Sequence, residues 1–133
     1  MYYDPKLHGG LPLPKIDVVR VAEAVAADAL GPDDAFKRTY MGHGRMSSAF
    51  VFQGHKGPFR KHVHIYHDEI AYVLAGSGSV TIGDMTREVR PGDLWVIPAG
   101  TPHTGDFGDE PVHLLFISAP TEDPDNPDRV WID

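Results

Sequence analysis

The sequence predicts a single all-β domain, a sandwich or closed barrel, and three observations carry that expectation. Short apolar runs recur between Phe36 and Ser118, each ended by glycine, proline or a polar break. They are evenly spaced with turns between them, which disfavours a doubly wound parallel sheet. The 133 residues suit one domain, and 41% hydrophobic with 23% charged residues is ordinary for a globular protein.

Residues 1–15 carry Pro5, Gly9, Gly10, Pro12 and Pro14 and read as an irregular arm. Ile16 to Val21 could open as a strand. Ala22 to Leu30 is rich in helix formers and stops at Gly31-Pro32, which predicts a short helix. The strands expected next are Arg45 to Gln53, Arg60 to Tyr66 and Glu69 to Ala75. Ser79 to Ile82 and Met85 to Val89 flank Gly83-Asp84, a two-residue hairpin signal. Pro91-Gly92-Asp93 reads as a turn before a strand over Leu94 to Ile97. Pro98 to Pro102 forms a stiff loop that cannot continue a ladder. His103 to Asp106 and Val112 to Ser118 complete the set. The tail, Ala119 to Asp133, holds Pro120, Pro124 and Pro127 among five acidic residues, and reads as extended until Val130-Trp131-Ile132, which can tuck against the barrel. The expected division is therefore arm and helix over 1–35, barrel over 36–118 and tail over 119–133.

A net charge of -7 argues against a nucleic-acid partner, which would require a basic face. Lys56, Arg60 and Lys61 are either a solvated edge or a device that draws an anion. With no cysteine, thiolate metal sites, disulfides and cysteine nucleophiles are excluded, so any metal must be held by nitrogen and oxygen. Met1-Tyr2-Tyr3-Asp4 starts no signal peptide, and the apolar runs are too short to cross a bilayer. The expectation is a cytoplasmic protein with no membrane partner.

Four residues stand out as candidate metal ligands: His62, His64, Glu69 and His103. Side chains two apart on a strand share a face, so His62 and His64 can grip one ion. Glu69 lies an odd number of residues beyond His64, so Tyr66-His67-Asp68 must turn or bulge to aim it the same way. His103 emerges from the stiff loop at a fixed place. Singly, each would be an ordinary polar strand residue. His8, His43, His55 and His67 fall in loops or the corner, and His113 can face either way; none of these is assigned as a ligand.

These residues carry a resemblance. Gly57, His62, His64, Glu69 and Gly76 resemble the first motif of the cupin superfamily, and Gly92, Pro98, Gly100 and His103 resemble the second. Gly57 is one residue closer to His62 than is usual, and Phe107 replaces the asparagine that ends the second motif, which suggests a more apolar wall. The resemblance implies a cupin-type double-stranded β-helix, or jelly-roll, with one divalent transition metal. Iron(II) or manganese(II) is favoured, with nickel, cobalt, copper or zinc as alternatives. It also implies a homodimer and a small-molecule enzyme, foremost an oxygenase acting on a small organic acid or phenolic compound. The alternatives are a redox-neutral isomerase, epimerase, cyclase or lyase, and a non-catalytic binding module. Strand parity places Arg60 and Tyr66 on the pocket face, Arg60 as a partner for an anionic substrate. Phe50, Phe52, Tyr72, Trp95 and Phe107 are candidate lining, although ordinary core is the commoner role for such residues.

Overall fold

A computed structural model describes residues 18–44, 46–54, 58–108, 111–122 and 127–132. Its elements are α1 (Val21–Ala27), β1 (Phe36–His43), β2 (Ser48–Gly54), β3 (His62–His64), β4 (Asp68–Ala75), β5 (Gly78–Ile82), β6 (Met85–Val89), β7 (Leu94–Ile97), β8 (His103–Asp106), β9 (Val112–Ala119) and β10 (Arg129–Trp131). Two five-stranded antiparallel sheets result, ordered β1-β2-β9-β4-β7 and β10-β3-β8-β5-β6. This is the jelly-roll expected. The core lies between the sheets, where Val73, Val80, Val89, Phe107, Val112 and Leu114 form one buried cluster.

The arm lies outside the described residues, as do Gly57, His8, His55, Lys56, Ile16 and Asp17; the strand suggested for Ile16 to Val21 does not form over its described part, since Val18 to Arg20 belong to no sheet, Arg20 caps α1 and Val21 opens it. The helix ends earlier than Leu30. The Gln53 amide donates to the Asp28 carbonyl at 2.9 Å and its oxygen accepts the Leu30 N–H at 3.1 Å, which captures this backbone for β2 instead of a further helical turn. β1 precedes Arg45 to Gln53, the first barrel strand expected from the sequence, and contains Gly42. Its register shifts between Tyr40 and Gly42, a bulge of the kind glycine permits.

The Gly83-Asp84 hairpin forms as its residues suggest. Ile82 pairs with Met85, and Gly83 takes φ +58° in the first central position, where a type II′ turn needs glycine. Gly78 is required for a different reason: a Cβ there would lie 2.3 Å from the Asp106 carbonyl oxygen.

β10 reveals a role for the tail that its proline content hid. It pairs with β3, setting Arg129 against His64, Val130 against Val63 and Trp131 against His62. The short ligand strand is thereby held on both sides, since β3 also meets β8 with His62 opposite His103.

Candidate metal centre

β3 and β8 are neighbours in one sheet, so His62, His64 and His103 come together, and one ring nitrogen from each lies within 4.8 Å of the others. Glu69 reaches them from the opposite sheet. The chain leaves β3 at His64, bends at Ile65 and Tyr66 and enters β4 at Asp68. That crossing between sheets is the corner the odd spacing required, and it brings the Glu69 carboxylate into contact with His64 Nε2. The loop before His103 is tied back as well: the Gly100 N–H donates to the His64 carbonyl at 2.7 Å, and the Ala99 N–H to Asp68 Oδ1 at 2.7 Å.

The other nitrogen of each ring is occupied. His62 Nδ1 lies 2.8 Å from the Arg60 carbonyl, His103 Nδ1 2.9 Å from the Thr101 carbonyl, and His64 Nδ1 3.3 Å from Asp128 Oδ1. A carbonyl can only accept, so at His62 and His103 Nδ1 must donate, and Nε2 keeps its lone pair. His64 lies between two carboxylates, Asp128 at Nδ1 and Glu69 at Nε2. This outer ring of acceptors is what oriented metal-binding imidazoles have. Three converging imidazole nitrogens beside a buried carboxylate, with no sulfur, fit a divalent transition metal.

The electrostatics agree with that fit. Burial pushes His62 down from its ordinary 6.5 to about 4, against the opposing pull of the Arg60 carbonyl. Burial lowers His103 too. Both therefore stay neutral, as ligation requires. Burial alone would raise Glu69, but hydrogen bonds from His64 and His67 outweigh it and hold the group well below the usual carboxylate range.

His67 is the residue whose importance spacing did not reveal. Placed in the corner, it is nonetheless only 3% exposed, with Nδ1 2.9 Å from Asp128 Oδ2 and Nε2 3.4 Å from Glu69 Oε1. Burial lowers its affinity for a proton, yet the hydrogen bond to Glu69 and the charges of Glu122 and Asp128 win and raise it. Asp128 also accepts the Tyr66 N–H at 2.7 Å. The only sequence hint was an acidic residue two positions before the tail's apolar triplet.

The four ligand candidates line a cavity of about 330 Å³. Phe50, Phe52, Trp95 and Phe107 line it as suggested, joined by Phe59 and Phe116. Tyr72 does not: Glu69, Ala71 and Val73 are the buried positions of β4, and Tyr72 has the opposite parity. Arg60 is exposed at the rim, with its guanidinium carbon 4.8 Å from the centre of the Trp131 ring. Tyr66 stands outside the cavity and is 75% exposed, because β3 ends at His64 and parity no longer governs the residues after it. The pocket-facing role expected for Tyr66 is thus corrected.

Comparison with known proteins accords with this architecture. The family model described as cupin domain matches residues 50–118. An uncharacterised protein of Methanocaldococcus jannaschii is 38% identical over 60 residues, 44% of this chain and 48% of that protein. The acireductone dioxygenase of Stenotrophomonas maltophilia is 39% identical over 66 residues, 45% of this chain and 35% of the enzyme. The chain thus spans half or less of the length of these two curated relatives. Among solved structures, KdgF from Halomonas sp. superposes with a TM-score of 0.66 at 23% identity, covering 73% of this chain and 89% of that one.

Proposed function

The chain belongs to the cupin family, and on that premise we propose that it is a metal-dependent enzyme acting on a small molecule, foremost an oxygenase of a small organic acid or phenolic compound. One observation supports this above the others: three buried or half-buried imidazoles have their Nδ1 atoms committed to acceptors while their remaining nitrogens converge beside Glu69. His62, His64, His103 and Glu69 would hold the ion. An ion held there supplies a Lewis acid and open positions for water, dioxygen or a substrate oxygen. The protein's own contribution is to keep His62 and His103 neutral and Glu69 ionised, to orient the rings, to exclude bulk water behind Phe52, Phe59, Phe107 and Phe116, and to present Arg60 at the rim to an anion. The 39% identity to an acireductone dioxygenase over 66 residues supports an oxygenase over a redox-neutral enzyme or a binding module.

We also read the protein as a cytoplasmic homodimer. No helix among the described residues is long and apolar enough to cross a membrane. The edge strands expose Phe36 and Tyr40 on β1, and Leu94 and Val96 on β7. Light scattering that returned a mass near 14.6 kDa would refute the dimer.

The test of the enzyme reading is the metal carried by protein purified without added ions, together with oxygen uptake on candidate acids and phenols. Bound iron(II) or manganese(II) with oxygen consumption is the expected outcome. Tightly held zinc with no oxygen uptake overturns the oxygenase in favour of redox-neutral chemistry.

A further inference from the structure

Glu122 is a buried carboxylate at the cavity wall with one oxygen unused. It is 7% exposed, it lies just beyond the end of β9, and it lines the same cavity as the four ligand candidates. Its Oε2 accepts Arg38 Nη2 at 2.7 Å across 84 residues of sequence. Arg38 is itself fixed, with its guanidinium carbon 4.1 Å from the centre of the Phe50 ring. Oε1 is buried and has no hydrogen-bond partner. A structural ion pair accounts for Oε2 and leaves Oε1 unexplained, and a buried acceptor left unpaired is costly enough that few persist without a reason.

Its position suggests the reason. Glu122 Oε2 is 3.9 Å from His67 Nε2, and a carboxylate oxygen of Glu122 lies within 4.8 Å of a His64 ring nitrogen. A small molecule that occupies the cavity with one end at the histidines therefore passes beside this carboxylate. Being anionic and anchored by Arg38, the group can accept a proton-bearing atom strongly but offers none of its own when ionised.

We propose that the Glu122 carboxylate is a second anchoring point for the substrate, accepting a hydroxyl or amine hydrogen on the atom next to the oxygen that binds the metal. The inference rests on the metal-dependent reading above and narrows its substrate class: an acid, ketone or phenol with a vicinal O–H or N–H donor, rather than a simple monocarboxylate. Arg38 acts through Glu122 as a positioning residue, and the phenylalanine wall accommodates the rest of the molecule.

The test uses full-length protein loaded with manganese(II) and two probes of equal charge, glycolate and methoxyacetate. Both offer a carboxylate and a neighbouring oxygen, but only glycolate carries a hydroxyl hydrogen to donate. Calorimetry should show wild-type protein preferring glycolate, and Glu122→Gln losing at least tenfold of that preference while retaining its manganese. A preference within twofold of wild type, with the metal still bound, overturns the role of Glu122 and leaves the metal centre standing. If wild-type protein binds no manganese or other divalent ion, the metal reading itself falls and this inference falls with it. Should Glu122→Gln fail to fold, the double variant Arg38→Met with Glu122→Met removes both charges together, and the same loss of preference is expected from it.

Discussion

The two halves of the ligand set are supported in different ways. His62 and His103 sit side by side on β3 and β8, and each is oriented by a main-chain carbonyl two residues before it, from Arg60 and Thr101. His64 and Glu69 face each other across the two sheets and rely on side chains: Asp128, 64 residues beyond His64, and His67, which bridges Asp128 and Glu69. The first half is self-contained within short stretches of chain. The second is completed only when the C-terminal segment adds β10 to β3. A carbonyl cannot be removed by substitution, whereas Asp128 can, so the halves should respond differently to mutation.

The largest expected effect falls on both halves at once. Replacing His64 and His103 together by alanine should abolish stoichiometric metal binding while circular dichroism still reports a β protein; an ion retained at one per chain would sink the assignment of the centre. A smaller loss should follow from Asp128→Ala alone. Removing an outer-shell partner commonly weakens metal affinity by about 10- to 100-fold. Metal competition assays should place this variant there, and an unchanged affinity would mean that the tail supports the fold without orienting His64.

Truncating the apolar wall sharpens the contrast by leaving both halves intact. Leu114 is 2% exposed within the core cluster, and Leu114→Ala should cost about 2 to 5 kcal/mol in urea unfolding of the metal-free protein. The metal-to-protein ratio of the folded variant should stay at that of wild type; a proportionate loss of metal would show that packing, rather than the polar shell, positions the ligands.

The smallest effect concerns acid. In metal-free protein His62 has a folded pKa of about 4 against an ordinary 6.5. Between those values the unfolded chain binds a proton that the folded chain refuses, so stability falls as pH drops through this window. His103, also lowered by burial, acts in the same direction. His67, raised, stabilises the fold below 6.5 and loses that contribution only as pH climbs through its folded value, so it does not cancel the acid limb. Above 4.5 the lowered carboxylates Glu69 and Asp128 have yet to act. Unfolding in urea with chelator present, from pH 6.5 to 4.5, should therefore show declining stability, and His62→Asn should flatten the decline. An unflattened slope would assign the acid sensitivity elsewhere.

Much of this centre was readable from spacing because its rules are local. Two histidines two apart on a strand share a face, an odd step to Glu69 demands a corner, and a proline-rich loop delivers His103; the fold obeys all three. The hairpin at Gly83-Asp84 and the inward Phe50, Phe52 and Phe107 follow from turn chemistry and hydrophobic burial, which also act over short range. What spacing could not carry were contacts between distant segments. Arg38 meets Glu122 across 84 residues, and Asp128 meets His64 and His67 across more than 60. A lone aspartate in an acidic, proline-rich tail looks the same whether it is solvated or holds an imidazole, and parity fails for Tyr66 as soon as the strand ends. Those choices were made by the packing of the two sheets, because only there do burial and the need to satisfy every enclosed polar atom select one partner from many.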